Sequence, residues 1–272
     1  MTSNSFIPAH TQIGDPTSRR VVMVCHGILA SGRNWRAFAR AIVDRQPDLR
    51  VILVDLRNHG DSSGANGPHT VQQCAVDLMN LAKHLSVQPE IVIGHSFSGK
   101  VVLSYVKALP PGLCHAWVLD CPPGRTVAPA ATEVVAVLKT LHTIAQPLDR
   151  RNQLITLLTA AGFSTSIAQW MTTNLKRTDE GLVWRFNLPA VQEMLADYFE
   201  RDFWHFLNQE NHTINIHLVQ ASKSDRWRDE EMARLKTIRS TSVHLHSLSD
   251  AGHWVHVDNP LGLLEMLMPS LT

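Results

Sequence analysis

Glu90-Ile91-Val92-Ile93-Gly94-His95-Ser96-Phe97-Ser98-Gly99-Lys100 decides the reading of this chain. A β-branched run leads into a serine flanked by small residues, and an amphipathic helical pattern follows over 100–108. That is the strand, turn and helix of a nucleophile elbow. The turn at Ser96 is so tight that the residues two positions away on either side must be small, and Gly94 and Ser98 meet the condition. The strict G-x-S-x-G pattern fails at Ser98, yet the steric demand is still satisfied. A strand followed by a Ser/Gly-rich connection would look similar, so the pentapeptide alone leaves the chemistry open.

The second anchor is His253 in Asp250-Ala251-Gly252-His253-Trp254-Val255-His256, after the last strand-like run. A serine hydroxyl is a weak nucleophile and needs a base within hydrogen-bond reach, with a third group holding the imidazole in one tautomer. Two acids fit that third place. Asp120 ends the run Ala116-Trp117-Val118-Leu119, and Asp225 follows the run Ile214-Asn215-Ile216-His217-Leu218-Val219. Both loops lie at carboxyl ends of strands, where open α/β sheets place their sites. Asp120 is favoured, because Ser224 occupies the slot of a later acid and leaves Asp225 one residue late; Asp225 stays the alternative, and the loser reads as a loop-capping carboxylate. Donors for a developing oxyanion are expected from the Phe97 amide and from Ile28, in the loop His26-Gly27-Ile28 after an earlier strand. His26 itself reads as a loop brace.

At 272 residues with 44% apolar content, the chain can bury one large α/β core plus a cap. A formal net charge of +1 with 18% charged residues shows no basic stripe, which argues against nucleic acid or an anionic membrane surface as partner. Small molecules are the expected partners, on a monomer or small homo-oligomer. Residues 1–20 are polar, without the apolar run of a secretory signal, and no stretch approaches a membrane span. A soluble, cytoplasmic protein is the expectation. Cys25, Cys74, Cys114 and Cys121 lack metal-type spacing and read as free thiols. The pairs His244/His246 and His253/His256 have the spacing of metal ligands, but no acidic or cysteine partners accompany them, so neither metal nor cofactor is expected.

Val21-Val22-Met23-Val24-Cys25, Val51-Ile52-Leu53-Val54 and Ile91-Val92-Ile93 are continuous apolar runs, the pattern of parallel strands buried on both faces. Helical patterns lie between them, so the first part reads as βαβ units in a doubly wound, mostly parallel sheet. From Cys121-Pro122-Pro123-Gly124 to about Asn211 the periodicity turns helical, with Leu154, Leu157 and Leu158 on one stripe. The expected division is a core of residues 1–121 and 212–272 with an inserted helical cap, 122–211. Cap aromatics mostly seat such a layer on the core; Trp170, Trp184, Phe203 and Trp204 are the candidates for lining an acyl pocket.

The elbow, the segment around His253, His26-Gly27-Ile28-Leu29-Ala30-Ser31 with Asn34-Trp35, and Asp55-Leu56-Arg57-Asn58-His59-Gly60-Asp61-Ser62 together resemble the α/β-hydrolase family. Within it they are similar to the group of α/β-hydrolase domain-containing protein 11 and its bacterial esterase relatives. Thr173-Asn174-Leu175 and Val183-Trp184-Arg185-Phe186-Asn187-Leu188 extend the likeness through the cap. The resemblance implies an α/β-hydrolase fold and a serine hydrolase acting on small to medium acyl esters or thioesters, with Ser96 and His253 carried over directly and Asp120 at the acid position. Two departures stand out. Phe97-Ser98 replaces a more usual Met-Gly pair, which bears on pocket shape, and the N-terminal segment is too short for an evident transit peptide. A ligand receptor with little turnover on the same fold, or a cofactor-free haloperoxidase- or lyase-like enzyme, are the rival readings.

Overall fold

Continuous apolar runs become the interior of one sheet. The computed structural model describes residues 5–127, 132–209 and 212–272. The chain order is β1 (His10–Gly14), β2 (Arg20–Cys25), α1 (Arg36–Arg45), β3 (Leu49–Val54), α2 (Val71–His84), β4 (Ile91–His95), α3 (Phe97–Lys107) and β5 (His115–Leu119). The segment that follows carries α4 (Glu133–Thr143), α5 (Arg151–Ala160), α6 (Thr165–Thr172), β6 (Leu175–Thr178), β7 (Gly181–Trp184), α7 (Leu188–Glu200) and α8 (Trp204–Leu207). Then come β8 (Asn215–Ala221), α9 (Asp229–Leu235), β9 (Val243–Leu248), α10 (Val255–Asp258) and α11 (Pro260–Leu271).

Seven strands form one sheet in the order β1-β3-β2-β4-β5-β8-β9, all parallel except β1. Alternation sorts each strand's side chains onto two faces. Val21, Met23, Cys25, Ile52, Val54 and Val118 pack under α2 and α3, while Val22, Val24, Val51, Leu53, Ile93 and Trp117 pack under α1 and α11. Because both faces are covered, polar alternation is absent from these strands. The sheet grows from β2 toward β3 and then, with β4, in the opposite direction. Loops leaving β2 and β4 therefore open a crevice between them at the carboxyl ends, and that is where ligands bind in such sheets.

Three features differ from the sequence reading. Residues 1–20 were read only as a polar segment, but His10–Gly14 forms an antiparallel edge strand on β3; its side chains are all at least partly exposed, so no apolar run marks it. Between β5 and β8 the layer is not wholly helical, since β6 and β7 form a hairpin that buries Leu175 and Leu182 against α4, α5, α6 and α7. Leu154 and Leu158 face that interior, whereas Leu157 is 40% exposed and leaves the expected stripe. The boundary expected at residue 211 lies outside the described residues.

Lys100, on the helix after the elbow, ties this inserted layer to the sheet. Its ammonium is wholly buried and donates to the carbonyls of Gly124, Tyr198 and Arg201, at 2.7, 2.8 and 3.0 Å. The first carbonyl lies where the chain leaves the sheet and the other two on its way back. Burial pushes the amine down to about 8. No helix among the described residues is long and apolar enough to cross a membrane.

Candidate active site

Ser96 sits between β4 and α3 with φ 54° and ψ −119°, a conformation disfavoured for an L residue. Such strain costs on the order of 1–3 kcal/mol and persists only where surrounding packing enforces it. Here the enforcement is close approach. A Cβ on Gly94 would lie 2.2 Å from the Ser98 carbonyl oxygen, and one on Gly99 would lie 2.5 Å from the Cys121 Cβ. Ser98 is more than a small residue, because its buried hydroxyl donates to the His26 carbonyl and so fastens the elbow to the loop after β2.

His253 reaches the elbow from the loop after β9. Its Nε2 lies 3.0 Å from the Ser96 Oγ and its Nδ1 lies 2.7 Å from the Asp120 Oδ2. A carboxylate only accepts, so Nδ1 carries the proton and Nε2 is free to accept from the serine hydroxyl. The backbone of His253 is also held, since the His95 Nε2–H donates to its carbonyl at 2.7 Å. Burial, followed by the charges of His253 and His256, keeps His95 well below the usual imidazole range.

Asp120 is buried and takes three further donors. The Ala221 amide and the Trp227 Nε1 reach Oδ1 at 3.2 and 2.9 Å, and the Ser224 hydroxyl reaches Oδ2 at 2.6 Å. Adjacency of β5 and β8 makes this possible, because the loop after β8 closes over the end of β5. Asp225 lines the same cavity without being the carboxylate that meets the His253 Nδ1. Its side chain is 92% exposed and forms an ion pair with the Arg226 Nε, at 3.6 Å. Ser224 and Trp227 were not singled out in the sequence; the one available signal was Ser224 standing where a later acid was expected.

The loop after β2 is braced by two neutral histidines. His26 donates through Nδ1 to the Gly27 carbonyl and accepts the Leu56 amide on Nε2, at 2.6 and 3.0 Å. His59 donates through Nδ1 to the Arg57 carbonyl and accepts the Leu29 amide on Nε2, at 3.0 and 3.2 Å. Asn174 adds a clamp from the inserted layer, its amide donating to the Leu29 carbonyl at 2.7 Å. Ile28 lies between these ties. Among the described residues, no backbone or side-chain acceptor takes its amide or that of Phe97.

Both imidazoles must stay unprotonated to accept those amides. Burial pushes His26 down to about 4, and burial together with the neighbouring His26 pushes His59 to about 3. In the unfolded chain both titrate near 6.5. As pH falls from about 6.5 toward 4, the unfolded chain binds protons that the folded chain refuses, so stability is lost with falling pH. Each such imidazole contributes a slope of about 1.4 kcal/mol per pH unit in that window. Urea unfolding midpoints taken between about pH 7 and pH 4.5 should fall accordingly. A midpoint that stays level would contradict the neutral braces.

A cavity of about 370 Å³ opens over Ser96 and His253. Ile28, Phe97 and Trp254 contribute from the sheet side, and Val137, Ile167 and Phe199 from the inserted layer. Of the four cap aromatics put forward, Trp170 lines this space and meets Trp254 edge-on at 4.6 Å. The other three are placed away from it. Trp184 stacks on Phe186, Phe203 is buried in the core under the inserted layer, and Trp204 packs against Gly124 with Arg234 over its ring. Phe199, Tyr198 and Trp254 line the cavity without having been singled out for it. The histidines with metal-ligand spacing have other neighbours: His246 meets the His217 ring nitrogen at 3.0 Å, His244 meets the Asn215 side-chain oxygen at 3.0 Å, and His256 stacks on Trp35.

Residues 21–265 match the alpha/beta hydrolase family. The mouse protein named sn-1-specific diacylglycerol lipase ABHD11 is 26% identical over 264 residues, covering 93% of this chain and 80% of the relative. Esterase YbfF of Escherichia coli (strain K12) is 24% identical over 263 residues, 96% of either chain. A solved structure described as a marine microorganism esterase aligns over 97% of this chain and 99% of its own, with TM-score 0.83 at 22% identity, a likeness of fold. With the match spanning β2 to α11, and an elbow at the end of β4, this chain belongs to the alpha/beta hydrolase family.

Proposed function

We propose that this chain, a carboxylesterase-like hydrolase, cleaves small to medium acyl esters or thioesters through an acyl-enzyme formed on Ser96. The observation that carries the reading is the unbroken hydrogen-bond path Ser96–His253–Asp120, at 3.0 and 2.7 Å. The His253 Nε2 takes the serine proton as Oγ attacks the carbonyl carbon, and Asp120 orients the ring and stabilises the imidazolium that forms. The Phe97 and Ile28 amides supply the oxyanion donors, each of which is worth roughly a hundredfold or more in turnover. Collapse of the tetrahedral intermediate expels the alcohol or thiol, which leaves with the proton held on His253. Water then attacks the acyl-enzyme with His253 again as base, and the free acid departs.

Residues 122–211 serve in this reading as a cap that closes the cavity from above and shields the acyl chain from water. The mixed walls suit an apolar acyl group held beside a polar reaction centre. A fluorophosphonate probe tests the proposal directly. It should attach covalently to Ser96, identified by peptide mass, in protein that also hydrolyses p-nitrophenyl butyrate. A protein that only binds ligand need not activate a serine, so absence of labelling together with absence of hydrolysis would reject the reading.

A further inference from the structure

The cavity over Ser96 has an apolar wall and, on the side formed by the loop after β8, a charged one. Arg226 is the unusual member of that wall. Its side chain is 29% exposed, and its Nε is buried without a hydrogen-bond partner among the described residues. A guanidinium offers five donors in a rigid fork and cannot shed its charge, so burying part of it without an acceptor is costly unless a ligand supplies one.

The neighbouring charges do not satisfy it. Asp225 forms an ion pair with the Nε at 3.6 Å, too long for a hydrogen bond, and its 92% exposed carboxylate is screened by water, so the pair is a weak one. Arg228, on the same wall, is already paired with Glu230 and Glu231, and Glu231 also accepts the Arg228 amide. Asp120 is enclosed by its four donors. Glu133 lies across the cavity at the start of α4 and is exposed. The positive charge of Arg226 is close enough to the reaction centre to act on the His95 ring beneath His253 and on Tyr198. A second unsatisfied donor, the buried Nε1 of Trp170, belongs to the same cavity.

We infer that the cavity selects esters bearing an anionic group, a carboxylate or a phosphate, and that Arg226 binds it. The inference rests on the serine-hydrolase reading and adds a specificity-determining residue to it. The anion could sit on the acyl side of the scissile bond or on the leaving group, and the two arms of the test separate these. In the acyl arm, the p-nitrophenyl monoester of glutaric acid is compared with p-nitrophenyl valerate. In the leaving-group arm, butyryl-phosphopantetheine is compared with butyryl-N-acetylcysteamine.

For each pair the quantity read is the ratio of kcat/KM, anionic over neutral. Arg226→Gln should lower that ratio roughly 10- to 100-fold in one arm, mainly through KM, as expected for loss of a charged hydrogen bond made before the chemical step. Arg226→Lys, which keeps the charge and loses the fork, should recover part of the ratio. A ratio unchanged by both substitutions in both arms, with neutral esters still hydrolysed, overturns the inference and leaves the hydrolase reading standing. No turnover of any of the four esters by the unaltered protein overturns both.

Discussion

Replacing Ser96 by alanine should abolish ester hydrolysis while the protein keeps its fold. Removal of the hydroxyl takes the donor only from the His253 Nε2, on a ring 19% exposed at the cavity where water can donate instead, and the backbone bonds of the elbow remain. Loss of a serine nucleophile of this kind typically costs about a millionfold in kcat, and what survives, roughly a thousandfold over water, comes from oxyanion donors and binding. Those groups are untouched, so KM for a p-nitrophenyl ester should move little. His253→Ala should cost nearly as much, because nucleophile and base act as a unit and their losses do not add. Stopped assays with both variants, matched for thermal unfolding, check the expectation. Appreciable turnover in Ser96→Ala would place the chemistry elsewhere.

The sheet was legible because burial on both faces writes itself into sequence as unbroken apolar runs, and β2, β3 and β4 carry such runs. β1 was not, since an edge strand with half-exposed residues leaves no periodic signal. The elbow was legible for a steric reason: Gly94 and Ser98 are the sizes that the bend tolerates, whatever the regular expression requires. The cavity walls were harder. An aromatic residue in the segment between β5 and β8 looks the same in sequence whether it seats that layer or faces the cavity, and only packing separates Trp170 from Trp184, Phe203 and Trp204. Arg226 was invisible for a related reason, because an arginine in a loop reads as solvated until its partners can be counted. Spacing favoured Asp120 only through Ser224 standing in the later acid's slot, since both acids lie beyond carboxyl ends of strands, Asp120 directly after β5 and Asp225 in the loop after β8. What distinguishes them is the lateral neighbour: β5 lies between β4 and β8, which sets Asp120 beside the elbow and lets the loop after β8 cover it.

That lateral arrangement makes Asp120→Asn the most discriminating substitution after the serine. Asp120 Oδ1 accepts the Ala221 amide and the Trp227 indole, and neither donor can turn into an acceptor. An asparagine must therefore keep its single oxygen at Oδ1 and put its NH2 where Oδ2 was, facing the Ser224 hydroxyl and the His253 Nδ1. The flipped amide would set NH2 against two N–H groups. In the permitted orientation the NH2 donates to Nδ1, the ring proton is displaced to Nε2, and the imidazole can no longer accept from Ser96. Wrong-tautomer trapping of this kind costs about ten-thousandfold in kcat with geometry otherwise intact. Asp225→Asn changes an exposed carboxylate whose ion pair is with Arg226, and should leave kcat on p-nitrophenyl butyrate within about twofold. Equal losses from the two substitutions, or a larger loss from Asp225→Asn, would mean that Asp120 holds the loop after β8 together rather than orienting His253.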